Sequence, residues 1–139
     1  MDLSAINWLA VLAASLVGFA VGFVWYGPLF GKPWMASLGI TPDKTKQGNM
    51  AKIFGLSFVF QLIMAFCLAM FFYGDPSAAD MINAGSGSFY GFLTGIGWVA
   101  MAMAVNALYE QKSWTYICIN GGFWTVVFTL MGLILGAWK

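Results

Sequence analysis

Uncharged polar side chains lie within long apolar stretches of the sequence, where hydrogen bonding is the chemistry that they offer, and five of them are candidates to line a cavity. Amides and hydroxyls in hydrocarbon usually bond to a neighbouring helix, at about 0.6 kcal/mol on average. The alternative is that they line a path or cavity for a neutral or weakly polar solute. No charged residue interrupts these stretches, so a proton relay or an ion-coupled carrier built on a buried charge is not predicted. The candidate cavity-lining residues are Ser15, Gln61, Thr94, Asn106 and Asn120.

Metal, cofactor and catalytic chemistry find few suitable residues. The chain has no His, and all six of its basic residues are Lys, which removes the commonest metal ligand and the bidentate phosphate clamp of Arg. Cys67 and Cys118 lie in apolar stretches, where free Cys usually packs as a small hydrophobe. Met101 and Met103 would point to different faces of a helix. We expect no metal, cofactor, catalytic residue or enzymatic activity, and the net charge of +1 does not indicate nucleic-acid binding.

The densest motif is an aromatic turn with two prolines, W-Y-G-P-L-F-G-K-P-W at residues 25–34. Pro lacks an amide donor and clashes with the preceding turn, so the motif predicts the end of a helix. Trp and Tyr favour the membrane–water boundary, and one Lys among the rings could attract a phosphate head group. The motif therefore indicates either a helix stop and membrane anchor, or a gate, head-group site or partner dock. Its candidate residues are Trp25, Tyr26, Gly27, Pro28, Phe30, Lys32 and Trp34.

Four apolar runs must position these residues, and they cover 3–26, 53–73, 89–109 and 114–138. Each reaches the roughly 20 residues that a helix needs to cross about 30 Å of hydrocarbon. Only 8% of the residues are charged, against about 25% in a soluble domain. We predict an all-α fold, an integral membrane four-helix bundle made of two transmembrane hairpins. Residues 1–139 would form a single transmembrane domain, with an amphipathic, interfacial loop at 27–52.

The placement of Lys predicts the orientation of the chain in the membrane. Lys112 follows the third run, whereas the charged residues of the connection after the second run are two acids, Asp75 and Asp80. Because loops rich in Lys stay on the cytoplasmic side, we expect both termini outside, in a bacterial inner (plasma) membrane. Asp2, with no basic residue beside it, argues against a cleavable signal peptide. The lysines that follow the first run are Lys32, Lys44, Lys46 and Lys52.

Small residues recur at four-residue spacing in three of the runs. This spacing makes a flat helix face on which another backbone can approach closely, as helices do in lipid. Such faces pack either within one bundle or between the subunits of a homo-oligomer, which we expect because four helices leave little room for a cavity. G-F-x-x-G-x-x-W occurs in the first and third runs and would fit a parallel duplication. The helix-packing candidates are Ala14, Gly18, Gly22, Gly87, Gly91, Gly95, Gly132 and Gly136.

The string at residues 25–34 resembles the signature of an uncharacterised family of small bacterial membrane proteins, domain of unknown function 1761. The resemblance extends over nearly the whole chain and implies a four-span membrane protein. It carries no substrate, cofactor or catalytic residue with it. Further residues that carry it are Asn7, Gly97-Trp98-Val99-Ala100, Asn106, Tyr109, Lys112, Asn120-Gly121-Gly122 and residues 132–138.

Two functional hypotheses remain open at this point. The first is a homo-oligomeric transport or channel-like protein for a neutral or weakly polar solute. The second is a non-catalytic structural or accessory protein that binds membrane lipids or docks a larger membrane complex. They differ in one structural requirement, because transport needs the five polar side chains to converge on a wet cavity.

Overall fold

The computed structural model describes residues 3–45 and 48–139, and four helices within these ranges are long and apolar enough to cross a membrane. Asp2 and Lys46, which entered the predictions of topology, lie outside the described residues. The predicted all-α, four-helix membrane bundle is confirmed. The four spans are Trp8–Leu29 (span one), Met50–Tyr73 (span two), Ala84–Tyr109 (span three) and Trp114–Ala137 (span four).

Spans one and three are not uniform α-helices, because each contains a π-helical turn. Span one ends in a π turn at Trp25–Leu29, and span three is interrupted by a second π turn at Gly95–Ala100. A π turn carries one extra residue per turn and often marks a functional site. The α-helices are α1 Trp8–Val24, α2 Gly31–Leu38, α3 Pro42–Thr45, α4 Met50–Tyr73, α5 Pro76–Ala79, α6 Ala84–Thr94, α7 Met101–Tyr109 and α8 Trp114–Ala137.

Polar N-caps, rather than hydropathy alone, set where each span begins. The side chains of Asn7, Asn49 and Ser113 accept hydrogen bonds from backbone amides of the first turn that follows. Asn83 forms a reciprocal capping box with Ser86. These caps satisfy donors that a helix end leaves unpaired. As a result spans two and three begin earlier than their apolar runs, and span one begins later.

Most of the described residues of 27–52, the range predicted as a loop, are helical. Span one continues through Gly27 and Pro28, and the amide of Phe30 donates to the carbonyl of Trp25 at 2.8 Å. Because Pro28 has no N–H, the bonding shifts to the i→i−5 register of a π turn instead of stopping at the proline. Helix α2 follows directly and ends at Gly39, whose φ of 66° is left-handed.

Span four is the centre of the bundle and packs on spans one and three. The apolar core forms between spans one, two and four, where side chains interdigitate. Span three instead packs its glycines directly on the backbone of span four. A Cβ built on Gly91 would lie 2.1 Å from the carbonyl oxygen of Phe128, and one on Gly132 would lie 2.1 Å from that of Gly87. The most deeply buried core side chains include Val11, Phe72, Val127, Met131 and Leu135.

The same seam contains Gly95 and Gly136. A Cβ on Gly136 would lie 2.3 Å from the carbonyl oxygen of Asn83, and one on Gly95 would lie 2.8 Å from the Cα of Thr125. The small-residue faces of spans three and four are thus occupied within one chain. In lipid no hydrophobic effect draws helices together, so close van der Waals packing of the two backbones contributes to holding spans three and four together.

Span one uses its small face against two different partners. Ala14 is fully buried, Gly18 faces the side chain of Gln61, and a Cβ on Gly22 would lie 3.7 Å from the ring of Phe123. In span two the buried positions begin only at Gln61, and none of residues 50–60 is buried. The half of span two that follows the first connection is therefore not buried in the bundle.

Hydrogen bonds close the end of the bundle that carries the termini. The hydroxyl of Tyr73 donates to the carbonyl of Leu135, and Asn7 Nδ2 donates to that of Trp138 at 3.3 Å. In the connection after span two, Ser77 Oγ and its amide both donate to the Asp75 carboxylate, which lowers the pKa of that carboxyl. Asp75 also caps α5, the short helix that Asp75-Pro76 predicts.

Candidate functional site

Two of the five candidate polar side chains, Ser15 and Thr94, have hydroxyls that donate to carbonyls of their own helix. Ser15 is fully buried, and its Oγ donates to the carbonyl of Leu12 at 2.6 Å. Thr94 Oγ1 donates to the carbonyl of Tyr90 at 2.8 Å. Such back-bonding satisfies a hydroxyl locally without a partner on another helix. Asn106 is exposed on the outside of span three, so it does not lie beside Ser15 or Thr94.

Gln61 is buried between spans one and two, with 6% of its surface exposed. Its side chain lies on Gly18, where a Cβ would come 1.8 Å from Oε1. Among the described residues, Oε1 is the one buried side-chain nitrogen or oxygen atom that has no hydrogen-bond partner. A buried polar atom without a partner destabilises a fold by about 1–3 kcal/mol. Gln61 is therefore a polar group that the packing tolerates rather than uses.

Asn120 is the one candidate that joins separate elements. The hydroxyl of Tyr26 donates to Asn120 Oδ1, while Asn120 Nδ2 donates to the carbonyl of Tyr116 at 3.0 Å. The Nζ of Lys112 lies 5.8 Å from the centroid of the Tyr116 ring, within cation–π range. A chain of contacts thus runs from the aromatic turn across span four to a lysine of the third connection.

A second hydrogen bond, made by Trp25, also holds the aromatic turn to span four. Trp25 Nε1 donates to the backbone carbonyl of Ile119 at 2.9 Å. The ring of Trp25 lies 4.7 Å from that of Phe30, centroid to centroid. A Cβ on Gly31 would lie 2.6 Å from the carbonyl oxygen of Tyr26, so only glycine fits the close return of the chain. The motif is therefore a fixed structure rather than a loose loop.

The rings of this motif face span four, whereas its remaining members face outward. Tyr26 lies 4.9 Å from the ring of Trp34 and 5.0 Å from that of Phe123. Lys32 is exposed, as are Gly27 and Pro28. The aromatic residues of the motif thus pack as half-buried rings in two contacting pairs, and Lys32 is exposed.

Positive charge collects at the same end of the bundle. The first and third connections share this end because consecutive spans alternate in direction. Among the described residues, four lysines stand there against the two carboxylates of Asp43 and Glu110. A local excess of Lys attracts anionic lipid, at about 1 kcal/mol per residue near the surface. The four lysines are Lys32, Lys44, Lys52 and Lys112.

An apolar groove of about 340 Å³ lies beside the aromatic turn, between spans three and four. The π turn of span three forms one wall, and Gly121 and Gly122 belong to the opposite wall. The hydroxyl of Thr125, a rare polar group of the lining, donates to the carbonyl of Gly121 at 2.7 Å. The lining residues are Trp25, Ile96, Ala100, Met101, Ala104, Ile117, Gly121, Gly122, Thr125 and Val126.

A second groove, of about 250 Å³, lies between spans two and three. It holds Thr94 and Trp98, and the indole of Trp98 is 71% exposed. Trp98 is the counterpart of Trp25 in the repeated G-F-x-x-G-x-x-W pattern, yet Trp25 is half-buried and bonded to span four. The two tryptophans therefore have different environments, which gives a parallel duplication no support from this position.

Sequence reasoning missed the groove, and it missed Tyr116 as the residue that contacts both Asn120 and Lys112. The available signal was the i, i+4 spacing of Tyr116 and Asn120, which places both side chains on one helix face. No group of three or more His, Cys, Asp or Glu that could hold a metal occurs within the described ranges. The arrangement offers non-covalent chemistry: a cation, aromatic rings and an apolar groove.

We expect Tyr26→Phe to lower the free energy of unfolding by about 1 kcal/mol, because it leaves Asn120 Oδ1 without its donor. The measurement is reversible unfolding in mixed detergent micelles, followed by tryptophan fluorescence. Tyr109→Phe is the matched control, since Tyr109 is 86% exposed. Equal stability of the two variants would show that the Tyr26–Asn120 bond does not hold the turn.

The comparisons with known proteins agree with the resemblance of the sequence. A family model described as a protein of unknown function (DUF1761) matches residues 9–136, which include nearly all of the four spans and the aromatic turn. No curated protein and no solved structure matches the chain. Because the family match covers far more than half of the sequence, the chain belongs to the DUF1761 family.

Proposed function

We propose that this protein is a non-catalytic accessory protein of the membrane that binds anionic phospholipid at the end of the bundle carrying the first and third connections. The observation that carries the proposal is the aromatic turn, which is fixed to span four by Trp25 and Tyr26. A fixed aromatic platform beside an excess of lysines suits the boundary between hydrocarbon and head groups.

The bonds of the turn support a platform over a gate. Opening a gate at this position would break the Trp25–Ile119 bond and the Tyr26–Asn120 bond together. Each neutral hydrogen bond contributes about 1 kcal/mol, and a donor left unpaired in an apolar place costs more. The turn therefore favours one arrangement, which suits a binding surface.

The placement of the polar side chains supports the accessory role over transport. A path for a neutral solute requires the candidate polar side chains to converge on one cavity. Thr94 instead lines the groove beside span two, whereas Asn120 bonds to the aromatic turn. Gln61 and Ser15 lie in packed helix contacts. Self-association stays a prediction. A second copy of the chain could pack on residues 50–60 of span two, none of which is buried.

We expect phosphatidylglycerol, which is anionic, to bind the purified protein more tightly than phosphatidylcholine, which has no net charge. The reason is the excess of lysines at the end of the bundle that carries the first and third connections. Replacing Lys32 and Lys52 by Gln should weaken phosphatidylglycerol binding by about fivefold for each lysine. The measurement is native mass spectrometry of protein released from detergent after lipid titration.

Lys139→Gln is the matched control, because Lys139 lies at the opposite end and its Nζ donates to the carbonyl of Ala79 at 3.2 Å. Equal binding of the two lipids, or an equal loss in Lys139→Gln, would overturn the proposed function. Raising the salt concentration should reduce the preference, since mobile ions screen exposed charges.

A further inference from the structure

We infer that the groove between spans three and four holds one acyl chain of a bound anionic phospholipid, with the phosphate at Lys112. The inference rests on the proposed function and deepens it, because it assigns a lipid to a particular place. It commits to a membrane phospholipid as the occupant. The argument uses the shape of the groove, its lining and the charge at its end.

The groove is open because two residues of its wall, Gly121 and Gly122, have no side chains to fill it. A Cβ on Gly121 would lie 3.5 Å from the Cβ of Ala100, and one on Gly122 would lie 3.0 Å from the ring of Trp25. The π turn Gly95–Ala100 contains no proline, so its extra residue is not imposed by a missing donor. A volume of about 340 Å³ beside two spans remains accessible to an apolar chain.

The lining fits an acyl chain better than a polar solute. Ile96 and Met101 are exposed at the margin of the groove, which shows that it opens on the outer side of the helices. The hydroxyl of Thr125 is already engaged by the carbonyl of Gly121. Wall atoms that face a void lose dispersion contacts. In a bilayer, the apolar groups that can restore those contacts are lipid chains.

The end of the groove supplies the charge that a phospholipid requires. Ile117 lines the groove and lies about 4.5 Å along the helix axis from Trp114, where α8 begins. Lys112 lies two residues before that helix start. Between Lys112 and Ile117 lies Tyr116, whose ring is 5.8 Å from the Lys112 Nζ. An acyl chain in the groove therefore places its head group beside a lysine and a tyrosine, the residues expected at a head-group boundary.

The second groove provides an internal comparison. It is lined by Thr94, Trp98, Phe128 of span four and side chains of span two, and none of its lining residues is charged. Both grooves are accessible to bulk lipid, but only the first ends beside a lysine among the lining and neighbouring residues described. A preference for an anionic head group should therefore appear at the first groove and not at the second.

The test uses phosphatidylglycerol and phosphatidylcholine that carry a diazirine on one acyl chain, in nanodiscs that contain the full-length protein. After illumination, mass spectrometry maps the labelled residues. We expect phosphatidylglycerol to label Met101 and Ile117 more than phosphatidylcholine does, with no such preference at Ile63 of the second groove. Ala104→Phe should abolish the labelling of Ile117, because Ala104 lines the groove and a phenyl ring would fill it.

Ala102→Phe is the matched control, since Ala102 is exposed on the same helix and does not line the groove. Lys112→Gln is a second variant that leaves the packing intact, and it should reduce the labelling by phosphatidylglycerol by about fivefold. Labelling of Ile117 no stronger than that of the outward-facing Phe60 would overturn the acyl-chain site and leave the proposed function standing. Strong labelling by both lipids, unchanged in Lys112→Gln, would overturn the assignment of the phosphate to Lys112.

Discussion

Gly91→Ala is expected to lower the free energy of unfolding by about 3 kcal/mol, at the upper end of the usual cost of overpacking. The added Cβ would lie 2.1 Å from the carbonyl oxygen of Phe128 and 3.2 Å from the Cα of Gly132. Both are backbone atoms of span four, so no side chain can rotate away. The contact can be relieved only by moving one span away from the other along the glycine seam.

The measurement is reversible unfolding in mixed micelles, with the retained fold followed by fluorescence and by protection from proteolysis. Gly55→Ala is the matched control, because a Cβ there meets nothing within 4 Å. This control should be neutral or slightly stabilising, since Ala favours a helix over Gly by about 1 kcal/mol. Equal stability of Gly91→Ala and Gly55→Ala would show that the backbones of spans three and four are not in contact.

A combined variant tests whether the seam acts as one unit. Gly132→Ala places a Cβ 2.1 Å from the carbonyl oxygen of Gly87, on the same interface. Once one substitution has separated the spans, the second has less contact left to disrupt. The two single effects should therefore sum to more than the effect of the double variant, because substitutions at neighbouring sites do not act independently.

The four spans follow from the sequence because length and hydropathy are sufficient to identify them in a chain of this composition. Their limits depend on side-chain caps such as Asn83, which hydropathy does not register. Which helix faces meet is harder to predict, because in lipid both the buried and the exposed faces are apolar. The spacing of Gly87, Gly91 and Gly95 marks a packing face, but it does not name span four as the partner.

The candidate site was predictable in part. The aromatic turn is evident at residues 25–34, yet the position of the helix end is not, because a π turn lets span one continue past Pro28. One wall of the groove includes a second π turn, at Gly95–Ala100, which no proline marks in the sequence. The one extra residue of a π turn does not change the hydropathy of the span, so the hydropathy pattern does not reveal it. For this reason the sequence identifies Trp25 and Asn120 but not the cavity beside them.

Gln61→Met is expected to raise the free energy of unfolding by about 1–2 kcal/mol, the opposite sign from the glycine variants. Met matches Gln closely in length and shape, and it removes a buried oxygen that has no partner. Ser15→Ala is the matched control, because Ser15 is equally deep but its hydroxyl is already bonded to Leu12. The control should be neutral or destabilising, so a general preference for apolar residues cannot account for the difference.

The sign of the Gln61→Met effect also decides what the amide is for. A gain in stability, measured by the same unfolding assay, means that the chain retains an amide that weakens its own packing beside Gly18. That result would direct attention to an activity in which Gln61 takes part, and flux of a neutral solute through reconstituted vesicles would be the assay to compare. A loss of stability would instead show that Oε1 has a donor in the membrane, from water or a second copy, and that Gln61 belongs to the packing.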